Sequence, residues 1–159
     1  MTLGFEKHNH AACIAGGLKT AEAYCADRGI RLTAARKQVL GILLENHSAM
    51  GAYEILDRLR DEGQNAQPPV AYRALEFLQK HGFVHKIERL NAFIACASPD
   101  QGHAPAFLIC RECDQVAEAH TAVEEGRLGK LADQAGFAIE KTVVEAVGLC
   151  PNCQEAPSA

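Results

Sequence analysis

Two Cys-x-x-Cys pairs, Cys110-x-x-Cys113 and Cys150-x-x-Cys153, carry the sharpest chemical signal in this chain. Such a turn presents two thiolates to one side, and two turns complete a tetrahedral four-sulfur shell. That donor set suits zinc in a closed, structural role with no position open for catalysis. The other chemistry open to such pairs is thioredoxin-type redox exchange, which wants a single pair at the start of a helix that follows a strand. The chain has 7 cysteines, an odd number. In a reducing compartment, cysteines spaced in this way point to metal more than to disulfides.

His85, Cys96, His103 and Glu118 form a second constellation. Together they offer two nitrogens, a sulfur and an oxygen, a mixed set that suits zinc over iron or magnesium. The four are spread over both halves of the chain, so a metal held by all of them locks one half against the other. Each also has a plain reading: His85 as a surface residue, Cys96 as a core cysteine, Glu118 as a solvated edge. A third cluster, His8, His10 and Cys13, is either a short metal-binding tract or part of a tail without regular structure.

Nucleic acid is the other chemistry to weigh. Arg73 lies beside Tyr72 in a segment of helical pattern, and an arginine on such a helix can fork onto the O6 and N7 of guanine. Tyr53 opens the preceding helix and is placed to meet a base or a thymine methyl. Arg31, Thr33, Arg36, Lys37, Lys86 and Arg89 suit phosphates. The plain alternative is that these are solvated helix faces.

The elements that position these residues follow from periodicity. The pattern predicts helices from Leu18 to Arg28, from a Thr33 cap to Glu45, from Gly51 to Gly63, and from Pro68-Pro69 to Lys80. After Gly82 the period changes. Phe83–Glu88 and Ala92–Cys96 read as a hairpin turning through Arg89, Leu90 and Asn91. Helices followed by a small hairpin describe a winged helix-turn-helix. Further on, Ala106–Ile109 and Gln115–His120 read as strands, Val123–Ala135 as a helix, and Phe137–Val147 as a longer strand. The expected class is therefore α+β. A winged-helix domain over residues 1–93, with residues 1–17 as a tail, precedes a small α/β domain over residues 94–159.

Charge divides along the same line. Residues 1–93 carry 12 Lys and Arg against 10 Asp and Glu, whereas residues 94–159 carry 4 against 10. If phosphate is touched, the first half touches it, and its weak excess requires base contacts for useful binding. No window approaches a membrane span and the N-terminus lacks the apolar run of a secretory signal, so a cytoplasmic protein is expected.

The residues also resemble a known family. Arg31-Leu32-Thr33 with Arg36, Pro68-Pro69-x-x-Tyr72-Arg73-Ala74-Leu75, Gly82-Phe83-Val84-His85-Lys86 and Cys110-x-x-Cys113 are similar to the marks of ferric uptake regulators. Ala52-Tyr53-x-x-Leu56 and Glu145-x-x-Gly148-Leu149-Cys150-x-x-Cys153 resemble the zinc uptake regulator branch. The resemblance spans Leu18 to Cys153. It implies a winged-helix DNA-binding domain joined to a dimerisation domain. It implies a homodimer on double-stranded operator DNA, an AT-rich inverted repeat, that represses metal-uptake genes when metal is bound. It assigns structural zinc to Cys110, Cys113, Cys150 and Cys153, and regulatory zinc to His85, Cys96, His103 and Glu118. Base contacts fall on Tyr53 and Arg73. Two zinc ions per chain are expected, with a third if the N-terminal tract binds.

Some positions depart from the family pattern. Ala34 replaces a proline, Val70-Ala71 replaces Thr-Val, and Asp114 replaces a glycine. The Cys96 to His103 spacing is slightly short. The His-rich stretch of iron-sensing members is missing between Ala97 and His103, which favours zinc.

The expected function is thus a zinc-responsive repressor controlling zinc uptake, with no membrane and no small-molecule substrate. An iron or peroxide sensor of the same family is the alternative. A zinc enzyme is disfavoured: no His-Glu-x-x-His occurs, and the deaminase order of His-x-Glu with Pro-Cys-x-x-Cys is absent.

Overall fold

The structure, a computed structural model, describes residues 5, 9–45, 48–99 and 104–155. Two of the expected ligands, His8 and His103, lie outside these residues. The fold is α+β, as expected, and the chain divides into two compact units, residues 6–99 and residues 100–159 with residues 1–5.

The first unit contains α1 (His10–Asp27), α2 (Ala34–Leu44), α3 (Ala52–Asp61), α4 (Pro68–Lys80), β1 (Val84–Ile87) and β2 (Ala92–Ala95). It is a winged helix. A division at 93/94 cuts through β2, whose partner is β1, so the unit runs on past the expected boundary to residue 99. The first helix also starts earlier than Leu18. Asn9 caps it, its side chain accepting from the Ala11 N–H at 3.0 Å, so residues 10–17 are helical rather than tail.

Local chemistry sets the other helix ends. The Thr33 hydroxyl accepts from the Arg36 N–H at 3.4 Å, and the Glu54 carboxylate accepts from the Gly51 N–H at 3.0 Å. Each satisfies a donor that the first turn of a helix leaves unpaired. At the end of α4, Gly82 has φ +78. This left-handed residue lets Phe83 N–H reach back to the Leu78 carbonyl at 2.9 Å and turns the chain into β1. In α4, Ala71, Ala74, Leu75 and Leu78 are buried at helical spacing. They pack in one core with Val39, Leu40, Ile42 and Leu43 of α2 and Ile55, Leu56 and Leu59 of α3. That burial fixes which face of α4 points outward.

One part of this unit was not legible in the sequence. His81 is half-buried at the end of α4, and its Nδ1 lies 3.3 Å from the Tyr24 hydroxyl of α1. Its ring packs 4.6 Å from that of Phe77. The Arg28 guanidinium lies over Tyr24 and that of Arg36 over Phe77, each at 3.7 Å. Burial, and then the cations Lys80, Arg36 and Arg28, hold the His81 pKa below its ordinary value. The sign follows from linkage. The unfolded chain binds this proton more readily, so the stabilisation is complete above the unfolded pKa of about 6.5 and is lost as pH falls towards the folded one. His81→Gln should therefore flatten part of the fall in melting temperature on acidification. Every other titrating group is common to both proteins, so the difference isolates His81. Parallel pH profiles for the two would contradict this.

The second unit contains β3 (Ala104–Cys110), β4 (Val116–Thr121), a 3-10 turn (Val123–Glu125), α5 (Arg127–Gln134), β5 (Val144–Gly148) and α6 (Pro151–Glu155). Its sheet has the order β4-β3-β5, with β4 antiparallel and β5 parallel to β3. The expected helix from Val123 to Ala135 is broken at Gly126, which is extended and caps α5. Glycine's poor helix propensity accounts for the break. The expected strand from Phe137 to Val147 shrinks to Val144–Gly148. Its ladder with β3 begins at Val144, and strand propensity without a neighbour does not make a strand.

Candidate metal centres and nucleic-acid face

The parallel pairing of β3 and β5 brings the four cysteines together. Cys110 ends β3 in register with Gly148, the end of β5, and Cys150 follows two residues on. Parallel neighbours run out at the same end of a sheet, so both Cys-x-x-Cys turns are delivered there. After β3, Asp114 N–H donates to the Cys110 carbonyl at 3.1 Å and Cys110 N–H to that of Gln115 at 2.9 Å. After β5, Cys153 N–H donates to the Cys150 carbonyl at 3.0 Å. Asp114 takes φ 58, the conformation glycine adopts most readily, so the turn keeps its shape without glycine. Aspartate is among the few side chains tolerated there.

The four sulfurs lie within 4.8 Å of one another. Cys110 and Cys150 are buried, Cys153 is half-buried and Cys113 exposed. The Cys113 and Cys150 Sγ atoms are 3.8 Å apart. A tetrahedron with zinc–sulfur bonds of about 2.3 Å has an edge of about 3.8 Å, so the spacing fits. Cys150 N–H donates to Cys110 Sγ at 3.4 Å. That bond, ahead of smaller ones, brings the Cys110 thiol down to about 6. Cys153 goes the other way, pushed up to about 12 by its hydrogen bond to Cys150 and then by burial. Crowded sulfurs resist ionising together, and a dication removes that conflict.

The hairpin positions two residues of the second constellation. His85 pairs with Ile94 across β1 and β2, and Cys96 N–H continues the ladder to the Phe83 carbonyl at 2.8 Å. Cys96 is two residues beyond Ile94, so it shares the face of His85. Their ligand atoms approach within 4.8 Å, and Cys96 is 6% exposed. A buried nitrogen and sulfur in such proximity fit a borderline metal such as zinc. Glu118 sits half-buried on β4, opposite Phe107. In the N-terminal tract, His10 and Cys13 are half-buried one turn apart on α1, and among the described residues they join no cluster of three candidate ligands.

On α3 and α4 the outward face carries Tyr53, 69% exposed, Tyr72 and Arg73. Arg31 and Lys86 are also accessible, Lys86 lying 3.6 Å from Glu88. Two candidate phosphate contacts are engaged internally. Arg36 donates to the Arg31 carbonyl at 2.6 Å besides stacking on Phe77, and Lys37 pairs with Glu22. Sequence reading missed one feature of this face. Val70 falls outside the buried stripe of α4 and is exposed, a fact its offset from Ala71 and Ala74 signals.

Comparison with known proteins fits this arrangement. The zinc uptake regulation protein of Escherichia coli (strain K12) is 42% identical over 139 residues, 87% of this chain and 81% of that one. A solved zinc uptake regulator complexed with zinc and DNA is similar at TM-score 0.85 and 41% identity, over 89% of this chain and 95% of its own. Holo XcZur is similar at TM-score 0.80 and 37% identity, over 89% of this chain and 99% of its own. The sequence model of the ferric uptake regulator family matches residues 27–147, and this chain belongs to that family.

Proposed function

We propose that the chain is a zinc-responsive transcriptional repressor that binds operator DNA as a zinc-loaded homodimer and controls zinc-uptake genes. The observation that carries the reading is the approach of the His85 and Cys96 ligand atoms to within 4.8 Å on the hairpin that follows α4. The relative named for zinc uptake regulation, and the regulator solved with zinc and DNA, support it. The protein acts in the cytoplasm by binding, with no reaction catalysed, and no helix among its described residues is long and apolar enough to cross a membrane.

The residues divide the work. Cys110, Cys113, Cys150 and Cys153 hold a structural zinc in the second unit, which also dimerises. Exposed Leu128, Leu131, Phe137, Val143 and Val147 supply that unit with apolar surface for a second copy. His85 and Cys96 from the first unit, with His103 and Glu118 from the second, hold the regulatory zinc. When bound, that zinc supplies a redox-inert cation that nitrogen, sulfur and oxygen donors share. Ligands drawn from both units restrict how the DNA-binding units are presented. Arg73 and Tyr53 read bases, with Tyr72 beside Arg73 on the reading helix; Arg31, Thr33 and Lys86 contact phosphate.

Base reading and phosphate contact have separable signatures. Arg73→Ala should cost about 1–3 kcal/mol and relax specificity at one base pair. Lys86→Ala should weaken all sequences alike and reduce the salt slope by about one. Both are measured as zinc-loaded affinities for a panel of operator variants at several salt concentrations. Equal losses from both substitutions on every variant would show that Arg73 only touches phosphate.

A further inference from the structure

The tip of α4 is unusual for a helix that meets DNA. Helix N-termini commonly grip phosphate through the unpaired N–H groups of the first turn. Here Pro68 and Pro69 have no N–H, and Val70 N–H is already bonded to the Gln67 carbonyl at 2.9 Å. The first turn has no acidic residue and no side-chain cap. The first three positions of the tip thus offer no free N–H, and Val70 is 37% exposed upon it.

Helix geometry gives Val70 a direction. Ala71, Ala74, Leu75 and Leu78 face the core, whereas Val70 and Arg73 are three residues apart on the outer side. In the major groove the apolar feature that distinguishes one base pair from another is the thymine C5-methyl. We propose that Val70 is a specificity-determining residue whose isopropyl group packs against a thymine methyl in the operator, beside the base pair read by Arg73. Three residues of helix rise about 4.5 Å, against a base step of about 3.4 Å, so the thymine lies about one base pair from that site. A hydroxyl here offers a phosphate bond; a valine gives it up for a contact that carries sequence information.

The inference rests on the DNA-binding reading above, and one experiment tests the two separately. The probe is the tightest zinc-dependent duplex recovered by selection from random-sequence DNA. Its thymines are replaced one at a time by deoxyuridine, which removes only the methyl group. Wild type should lose about fourfold in affinity at one thymine per half-site, adjacent to the base pair at which Arg73→Ala relaxes specificity. Val70→Ala should bind the unmodified duplex about fourfold more weakly and show no further loss on that replacement. Val70→Thr, which keeps one methyl, should retain part of the loss and controls for folding. No loss beside the Arg73 base pair, or an equal loss in Val70→Ala, overturns the inference and leaves the DNA-binding reading intact. Failure of the zinc-loaded wild type to select any duplex overturns both.

Discussion

Cys113→Ser should release one tightly held zinc per chain and leave a protein that dissociates or aggregates. Among its described residues the second unit has few large buried side chains. Its core is Ala106, Phe107, Ile109, Val116, Ala117 and Ala132, with Cys110 and Cys150 themselves among the buried residues. So small a core leaves a domain marginal without a staple. Structural zinc contributes about 10–16 kcal/mol in apparent terms, as much as the whole stability of a typical domain. Serine cannot replace the thiolate, and three sulfurs do not close the shell. Because β3 and β5 both run out at the four cysteines, loss of a zinc held there would free the ends of both strands. Zinc content and size-exclusion chromatography under reducing conditions check this. A soluble dimer with the full zinc content of wild type would reject the assignment.

What the sequence displayed and what it hid divide along physical lines. The four helices and the hairpin were legible because stripes such as Ala71, Ala74, Leu75 and Leu78 are local patterns. So were the Thr33 cap and the stop at Gly82, which depend on residues within one turn. The four-cysteine centre was legible as a donor set, but its closure depends on β3 and β5 being parallel, a long-range pairing that no spacing reveals. The contact of Tyr24 with His81 joins residues 57 apart and left no mark in the sequence. The length of β5 is hidden for the same reason: Phe137 to Val143 have strand-like composition, but the ladder with β3 begins only at Val144. His85 and Cys96 were better placed, because hairpin register follows from a short turn.

Cys96→Ser should keep the structural zinc, the fold and the dimer, yet abolish zinc-dependent DNA binding. His85 and Cys96 belong to the first unit, His103 and Glu118 to the second. Under the proposed mechanism, paired DNA-binding units without a shared metal would sample many presentations, few of which match successive major grooves. On the proposed assignment, ligation by both units would select the matching ones, and DNA binding would no longer carry the cost of finding them. The coupling is reciprocal: operator DNA must tighten zinc binding by the factor by which zinc tightens DNA binding. Serine at 96 replaces a buried sulfur donor with a far weaker one at little change in volume, so the fold is expected to survive.

The most direct measurement is operator binding by wild type and Cys96→Ser, each titrated with buffered zinc. Wild type should switch from weak to tight binding over a narrow range of free zinc, while the variant, carrying one zinc fewer, stays weak throughout. A variant that switches at the wild-type zinc concentration would contradict the account. It would place the regulatory site elsewhere, with His8, His10 and Cys13 as the leading candidates.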